Sequence, residues 1–186
     1  CAREGLPDIQ IASLDARHLE VLASVAGARK ADEIGTLGGY SGVSILRGMG
    51  IGGILDTIEI DPRHAEVARE SFRRAGYTTQ ARIHLGAAMQ VLPKLAASGP
   101  YDLCFIDADK ESYPDYLNWA ADHLRPGGLV LGDNAFLFGE LVDKPTGARA
   151  KSIAALQAFH PILATQNRLR APVLPTGEGL AVGVRI

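Results

Sequence analysis

The chain has 186 residues, 47% of them hydrophobic, which is enough for one sizeable core and too few for two comfortable domains. Its 19 Lys and Arg against 21 Asp and Glu give a net charge of -2, and no basic run stands out, which argues against nucleic acid as the main partner. No apolar stretch is long enough to cross a bilayer. We therefore expect a single soluble domain over residues 1–186.

The two cysteines favour a reducing, cytoplasmic location. Cys104 lies inside an apolar run and Cys1 is the first residue, which argues against a structural disulfide. Cys104 is most simply a small core residue. Because the chain begins at cysteine rather than methionine, we expect that an N-terminal helix is truncated or missing.

The first half of the chain alternates between helix and strand patterns. The opening helix is predicted at 14–28, with Ser13 capping its first turn and an apolar face of Leu14, Val21, Leu22 and Val25. Strands are then predicted at 31–35, 54–60 and 81–85, and helices at 41–49, 62–75 and 88–97. Asp61, Pro62 and Gly76 supply the start and stop signals of the second of these helices.

The second half continues the alternation and then changes. It predicts a strand at 101–106, a helix at 113–123, a turn at 125–128, a strand at 129–131, a loop at 135–147, a helix at 148–160, and a hairpin of 169–174 with 180–186. Repeated strand–helix units predict a parallel sheet between two layers of helices, and the final hairpin predicts one antiparallel strand.

Polar residues directly follow two of the apolar strands. Asp107 and Lys110 come after one strand, and Asp133 and Asn134 come after the next. Open α/β sheets bind ligands at the carboxyl ends of their strands, so three oxygen ligands could converge there on a hard divalent cation beside the Lys110 ammonium. The alternative is that these are loop charges that pair with each other.

The turn at 33–42 is rich in glycine, which lets backbone approach a ligand closely. It lacks the G-x-G-x-x-G spacing of dinucleotide sites, and Glu33 would suit an amino-acid ammonium better than a pyrophosphate. Glu59, about 20 residues past the turn, can accept hydrogen bonds from ribose hydroxyls. Together, Glu33 and Glu59 favour S-adenosylmethionine as the ligand of this turn. The alternative is that the glycines form an ordinary turn and that Glu59 is a solvated charge at a strand end.

The motifs EIGTLGGYSG, TIEIDP, YDLCFIDADKESYPDY, LRPGGLVLGDN and LPTGEGLAV occur in register from about Ile9 to the C-terminus. This series resembles the cation-dependent class I O-methyltransferases, which include catechol and caffeoyl-coenzyme A O-methyltransferases. The resemblance implies a Rossmann-like, mostly parallel seven-stranded sheet with helices on both faces and one antiparallel strand near the C-terminus. It also implies methyl transfer from S-adenosylmethionine to a vicinal diphenol, catechol-like or hydroxycinnamoyl-type, by a homodimer.

The resemblance also implies roles for individual residues. Asp107, Asp133 and Asn134 would bind Mg2+, or Ca2+ or Mn2+, and Lys110 would be catalytic, either as a base or as a stabiliser of the oxyanion. The implied cofactor-binding residues are Glu33, Gly35, Tyr40, Ser41, Glu59, Gly86, Ala87 and Asp107. The family often has a tryptophan after its Asp-Asn pair, where this chain has Ala135–Gly139, so the substrate wall is expected to differ.

Aromatic residues near the predicted site could form a semi-apolar pocket for the reaction. They are Tyr113, Tyr116, Trp119, Phe136 and Phe138, of which core packing is preferred for Tyr116 and Trp119.

Two other functions use the same fold. A nicotinamide-dependent oxidoreductase is disfavoured by the missing G-x-G-x-x-G motif, and a non-catalytic S-adenosylmethionine-binding protein has no need of Lys110 or of three metal ligands. The histidines at 18, 64, 84, 123 and 160 do not have zinc-ligand spacing.

Overall fold

A computed structural model describes residues 5–186 and shows one sheet in the strand order β3-β2-β1-β4-β5-β8-β6, with β7 also paired to β8. The strands are β1 (Lys30–Ile34), β2 (Ile54–Glu59), β3 (Ala81–Leu85), β4 (Tyr101–Ile106), β5 (Leu124–Gly132), β6 (Leu169–Arg170), β7 (Val173–Leu174) and β8 (Leu180–Arg185). The helices are α1 (Ser13–Val25), α2 (Tyr40–Met49), α3 (Pro62–Arg74), α4 (Ala88–Leu95), α5 (Tyr113–His123) and α6 (Ala150–Thr165).

The strands β1 to β5 are parallel, and β8 is antiparallel to its neighbours. The segments β6 and β7 pair with β8 in one continuous register and are separated only by Ala171 and Pro172. Proline has no N–H for the ladder, although the Pro172 carbonyl still accepts a hydrogen bond from the Val182 N–H. Counting β6 and β7 as one interrupted strand gives the predicted seven-stranded sheet, which confirms the fold class.

Helices cover both faces of the sheet, so its central strands are buried on both sides. In β4, Leu103 and Phe105 pack toward α1, α2 and α3, whereas Cys104 and Ile106 pack toward α4, α5 and α6. Alternate residues of a strand point to opposite faces, which is why a strand buried on both sides has an unbroken apolar sequence. Cys104 is buried and unpaired, as predicted, and Cys1 lies outside the described residues.

The sequence-based description of α1 is wrong in two respects. Ala12, not Ser13, is the N-cap residue and no side chain caps the helix, because the Ala12 carbonyl already accepts the first helical hydrogen bond, from Ala16 N. The predicted apolar face is largely exposed, with Leu14, Val21 and Val25 at 62%, 52% and 79%.

Leu19 and the small residues Ala16 and Ala23 face the core from α1, in place of the predicted apolar face. A Cβ added to Gly48 of α2 would lie 2.1 Å from the Glu20 carbonyl oxygen and 2.8 Å from the Ala23 Cβ. The two helices therefore approach too closely for a bulky side chain between them. The buried positions of α1 are Asp15, Ala16, Leu19 and Ala23.

Two further boundaries differ from prediction. The predicted turn at 125–128 lies within β5, as an irregularity in its pairing with β4. Helix α6 continues to Thr165 through Pro161, beyond the predicted end at 160, since Leu163 of its last turn packs in the core. By contrast, Asp61 caps α3 as predicted, accepting hydrogen bonds from Arg63 N and His64 N. None of the helices formed by the described residues is long and apolar enough to span a bilayer.

Candidate active site

A cavity of about 900 Å3 opens at the carboxyl ends of the central strands. All predicted site residues except Glu33 line it: Gly35, Tyr40, Ser41, Glu59, Gly86, Ala87, Asp107, Lys110, Asp133 and Asn134. The volume lies in the range of small-ligand pockets.

The strand ends approach each other closely because the parallel ladder continues one residue past each strand. Asp107 N donates to Ile34 O at 2.9 Å, and Asp133 N donates to Ile106 O at 3.0 Å. Gly35 lies beside Asp107 with a φ of +102°, and a Cβ there would be 2.0 Å from the Asp107 carbonyl oxygen. Only glycine allows β1 and β4 to meet in this way.

The two aspartates at these strand ends carry perturbed pKa values. Burial, followed by the negative charge of Asp107, raises the pKa of Asp133 to about 7. Burial also raises the pKa of Asp107, although the positive charge of Lys110 opposes it. The carboxylates of Asp133, which is buried, and Asp107, which is half-buried, repel each other, and a bound cation would stabilise both.

The donor set fits a hard divalent cation. Two carboxylates and the Asn134 amide supply oxygen ligands of the kind that Mg2+ and Ca2+ prefer. Among residues 5–186 no group of three or more His, Cys, Asp or Glu side chains could hold a metal ion, so a site at these strand ends depends on the Asn134 oxygen as its third protein ligand. Asn134 has a φ of +54°, a left-handed conformation that asparagine tolerates better than most residues.

Lys110 is held between an acid and a tyrosine. Its Nζ lies 3.2 Å from Asp107 Oδ1 and donates to the Tyr113 hydroxyl, 2.5 Å away. The Tyr113 oxygen in turn lies 2.9 Å from the Asp133 carbonyl and 3.2 Å from the Ile106 carbonyl, to which its own hydrogen can be donated. Tyr113 is not among the residues that line the cavity. Through these hydrogen bonds it fixes Lys110 and links the ends of β4 and β5.

Sequence reasoning named Tyr113 as a residue that could form part of a semi-apolar pocket and missed this positioning role. The available signal was its spacing, since residues three apart in a helical turn lie on one face. Of the other aromatic candidates, Tyr116 and Phe138 line the cavity. Trp119 instead stacks on His123 and donates Nε1 to Asp32, and Phe136 packs against Gly179. Core packing was thus the right expectation for Trp119. For Tyr116, the expectation of core packing left out that this residue also lines the cavity.

The Asp109 carboxylate accepts hydrogen bonds from neighbouring residues of its own segment. Its Oδ2 accepts from Ser112 N at 3.1 Å, and its Oδ1 accepts from the Tyr116 hydroxyl at 2.6 Å. It thereby caps the short 3-10 turn Lys110–Ser112, which delivers Lys110 to the cavity.

Glu59 connects the end of β2 to the glycine-rich turn. Its two carboxylate oxygens accept hydrogen bonds from Leu37 N at 2.7 Å and Asp61 N at 2.9 Å, and His64 Nδ1 lies 3.6 Å away. Gly86 N donates to the Glu59 carbonyl at 2.8 Å, which brings the end of β3 to the same wall. The predicted ribose and adenine segments are therefore adjacent.

Glu33 is fully buried beneath the turn. Thr57 Oγ1 donates to its Oε2 at 2.6 Å, and a Cβ on Gly42 would lie 2.9 Å from the same oxygen. Burial raises the pKa of Glu33 to about 7, against the hydrogen bonds from Ser41 and Thr57. Its contact with a ligand ammonium stays a prediction; the contacts present support the turn.

Comparison with known proteins agrees with this geometry. A model of the O-methyltransferase family matches residues 1–186. The chain belongs to the S-adenosylmethionine-dependent O-methyltransferase family. This result confirms the resemblance and sets aside the oxidoreductase alternative.

Individual relatives cover most of this methyltransferase. It is 35% identical over 175 residues to the catechol O-methyltransferase of Niastella koreensis, spanning 93% of this chain and 78% of that protein. It is 38% identical over 159 residues to the catechol O-methyltransferase of Mycobacterium tuberculosis, spanning 84% and 72%. The crystal structure of the O-methyltransferase from Bacillus cereus in complex with SAH matches with a TM-score of 0.93 at 32% identity, covering 100% of this chain and 86% of that chain.

Asp15 is a buried cavity residue of the methyltransferase that the sequence analysis did not name. It belongs to α1 and is 3% exposed. The sequence analysis treated α1 by its large apolar residues, so an acid on the opposite face carried no weight. The signal was that Asp15 shares a helical face with Ala16, Leu19 and Ala23, the small and apolar residues that pack against α2.

Proposed function

We propose that this methyltransferase transfers the methyl group of S-adenosylmethionine to one hydroxyl of a vicinal diphenol, assisted by Mg2+ or a similar divalent cation. The observation that carries the proposal is the placement of Asp107, Asp133, Asn134 and Lys110 on one wall of a cavity that also contains the glycine-rich turn. The names of the two catechol O-methyltransferase relatives support the same substrate class.

The methyl donor would lie along the glycine-rich turn. Glu59 would accept hydrogen bonds from the ribose hydroxyls, and the backbone at Gly86 and Ala87 would border the adenine. Gly35, Tyr40 and Ser41 line the cavity on the side of the turn, where the amino-acid end of the donor would lie.

The acceptor needs activation, because a phenolic hydroxyl with a pKa of about 10 is scarcely ionised at neutral pH. When bound, a divalent cation supplies Lewis-acid polarisation of the two hydroxyl oxygens and orients them. Asp107, Asp133 and Asn134 would hold it, and Lys110 would direct an ammonium N–H at the developing phenolate.

Transfer then exchanges one bond for another. The C–S bond of the sulfonium breaks with its electron pair on sulfur, the phenolate oxygen bonds to the methyl carbon, and the phenolic proton is released to solvent. Positive and negative charges cancel as the reaction proceeds. The buried, partly apolar cavity favours this cancellation.

The test is methyl transfer from labelled S-adenosylmethionine to 4-methylcatechol, measured with Mg2+ and with EDTA. We expect turnover with Mg2+, its loss with EDTA, and its loss in Asp133→Asn. Asp122→Asn is the matched control, because its side chain is 58% exposed on α5 and paired with Arg168. Undiminished turnover in EDTA would contradict the metal role, and no transfer to any vicinal diphenol would contradict the acceptor.

We also propose that the chain forms a homodimer. Leu14, Val21 and Val25 form an exposed apolar stripe on α1, and such stripes are found at protein interfaces. Light scattering on the purified protein and on Val21→Glu tests this, since a dimer that uses the stripe would dissociate in the variant. A monomeric unsubstituted protein would refute it.

A further inference from the structure

The loop that follows β5 has an unfavourable backbone conformation. Asn134, Leu137, Phe138 and Gly139 have φ angles of +54°, +49°, +55° and +83°. This left-handed region strains most side chains, and glycine and asparagine tolerate it best. A strained loop persists only where contacts from the surrounding structure hold it, and strain of this kind is concentrated at functional sites.

Asn134 is the residue of this loop on which the proposed cation site depends. Among residues 5–186 no third His, Cys, Asp or Glu side chain joins Asp107 and Asp133 in a metal-binding group, so the site needs the Asn134 amide oxygen. Groups that hold a ligand residue in place affect metal affinity without touching the metal. The contacts that hold the Asn134 backbone therefore bear on cation binding.

The peptide groups on either side of Asn134 are held by other segments. The Asp133 carbonyl accepts a hydrogen bond from the Tyr113 hydroxyl at 2.9 Å, and Ala135 N donates to Gly179 O at 2.9 Å. These two contacts orient the peptide planes that flank the Asn134 Cα. The next carbonyl along the loop, that of Ala135, needs a donor of its own.

His160 of α6 supplies that donor. Its Nε2 lies 2.7 Å from Ala135 O, and because a carbonyl oxygen can only accept, Nε2 carries the hydrogen whether the ring is neutral or protonated. Ala135 is 1% exposed, so without His160 its carbonyl would be both buried and unpaired. The loop would then have to shift to reach another donor or water.

One turn of α6 supports the loop on both sides of Asn134. Phe159 packs edge-on against the Tyr113 ring, with the centroids 5.5 Å apart, and Tyr113 holds the Asp133 carbonyl. His160, the next residue, holds the Ala135 carbonyl. This turn of α6 therefore fixes the chain immediately before and immediately after Asn134.

We propose that His160 is a positioning residue for the cation site, whose hydrogen bond to Ala135 O keeps the left-handed loop and the Asn134 amide in the arrangement that binds a divalent cation. This role rests on the proposed function, which requires the cation. His160 is not among the residues that line the cavity, so it acts through the loop. Its loss should weaken metal binding and spare the glycine-rich turn, where the methyl donor would lie.

The test is the affinity of the protein for Mn2+ alone, measured by electron paramagnetic resonance of the free ion. Mn2+ binds the same kinds of oxygen ligand as Mg2+. His160→Phe keeps a ring beside Phe159 and removes the donor. We expect Mn2+ affinity to fall about five- to tenfold, the value of one hydrogen bond, while affinity for S-adenosylhomocysteine stays within about twofold by calorimetry.

Two further substitutions at the same position check the cause. His160→Gln can donate from its own Nε2 and should retain most of the Mn2+ affinity. His160→Ala removes the donor without placing a new ring against the loop, and should lose as much affinity as His160→Phe. Thermal melts establish that each variant is folded.

Gln157, one turn earlier on α6, is the matched control. Its Nε2 donates to the carbonyls of Leu141 and Asp143, both at 2.9 Å, further along the same loop. Gln157→Met removes both hydrogen bonds, so it should lower stability but change Mn2+ affinity less than about twofold. A purely structural role of α6 would affect the His160 and Gln157 variants alike.

A double variant shows whether His160 acts through Asn134. Asn134→Gly keeps the left-handed backbone and removes the amide ligand. Once the amide is absent, adding His160→Phe should weaken Mn2+ binding no further, because both changes remove the same contribution. Additive losses would overturn the proposal.

The remaining outcomes separate this role from the proposed function. If the unsubstituted protein did not bind Mn2+, the cation role and the positioning role would both be refuted. If Mn2+ bound equally well to the unsubstituted protein and to His160→Phe, or were weakened equally in His160→Phe and Gln157→Met, only the positioning role would be refuted.

Discussion

Tyr113 and Asp107 hold the Lys110 side chain from two directions. The acid is an ion-pair partner at 3.2 Å, and the hydroxyl accepts a hydrogen bond from the same nitrogen. Because the hydroxyl is also hydrogen-bonded to carbonyls of two strand ends, the ammonium is fixed relative to the side chains at the ends of β4 and β5. Positioning of this kind contributes to catalysis without contact to substrate.

Removing this hydroxyl should affect turnover more than cofactor binding. In Tyr113→Phe, Lys110 loses one of its two anchors, and the single hydroxyl hydrogen available to the Ile106 and Asp133 carbonyls is lost. We expect turnover to fall about 10- to 100-fold and stability by about 1–2 kcal/mol. Affinity for S-adenosylhomocysteine, measured by calorimetry, should stay within about twofold.

Tyr116→Phe is the comparison for this variant. It removes a hydroxyl from the next turn of α5 that is hydrogen-bonded to Asp109 instead of Lys110. Its loss of turnover should be smaller. Equal losses in the two variants would show that Tyr113 does not act through Lys110.

Glu59 is the residue on which cofactor affinity should depend most. Its two oxygens accept backbone hydrogen bonds from Leu37 and Asp61, so Glu59→Gln places an amide NH2 opposite one of these donors. We expect affinity for S-adenosylhomocysteine to fall about 10- to 100-fold by calorimetry, as expected for a lost charged acceptor. The control is Glu66→Gln on the exposed face of α3, where affinity should not change. Unaltered affinity in Glu59→Gln would remove the ribose role.

At the scale of elements, the active site depends on how closely β1 and β4 meet. Gly35→Ala adds a methyl group 2.0 Å from the Asp107 carbonyl oxygen in a left-handed conformation. The strand ends must separate, which displaces Asp107 and the turn together. We expect a loss of stability of about 3 kcal/mol or more, in a thermal melt, and loss of cofactor binding.

Gly27→Ala separates backbone strain from this steric clash. Gly27 also has a positive φ, +60°, but nothing lies within 4 Å of an added Cβ. It should cost only about 1 kcal/mol and leave binding intact. If Gly35→Ala behaved like Gly27→Ala, the close contact of the strands would not be required.

The elements that the sequence predicted best are those with local signals. A few adjacent residues were enough to predict these elements. Examples are the apolar run of β4 followed by Asp107, and the helix start at Asp61 and Pro62. The orientation of α1 could not be predicted in this way, because it depends on the absence of a side chain at Gly48, in another helix. The same close contact turns Asp15 inward, so a residue of the cavity was hidden until the helices were placed.

Glu33 shows a related limit. Its spacing from the glycines predicted a carboxylate that suits a ligand ammonium, yet the sequence did not show which protein groups contact it. Thr57 and Ser41 occupy it from β2 and α2. These contacts from distant segments support the turn, and contact of Glu33 with a ligand ammonium stays a prediction.

For the whole molecule, buried acids determine how stability responds to pH. Burial raises the pKa of Asp32, Glu33 and Asp133 to about 7, well above the value in an unfolded chain. Between about pH 4 and 7 the folded protein therefore holds protons that the unfolded chain releases. The free energy of unfolding should fall as pH rises through this window.

Acids with lowered pKa values act in the opposite direction at lower pH. The pKa of Glu70 is lowered to about 2, chiefly by its hydrogen bond from Arg73, and that of Asp61 is lowered by the Arg63 N–H. The contribution of these two acids to the free energy of unfolding is lost as pH falls below about 4. The ligand-free protein should therefore be most stable near pH 4 to 5, which is lower than for most proteins.

Asp32→Asn tests this pH dependence at a site away from the cavity. Asp32 lies in β1 opposite Asp56 of β2, and its Oδ2 accepts a hydrogen bond from Trp119 Nε1 at 3.0 Å. Asparagine keeps an oxygen acceptor and cannot ionise, so the variant should gain about 1–3 kcal/mol relative to the unsubstituted protein between pH 5 and pH 8. Urea unfolding at a series of pH values measures this difference, with Asp122→Asn as the surface control. An identical decline in the two proteins would show that Asp32 is not a source of the pH dependence, because its loss is the only change in titratable groups between them.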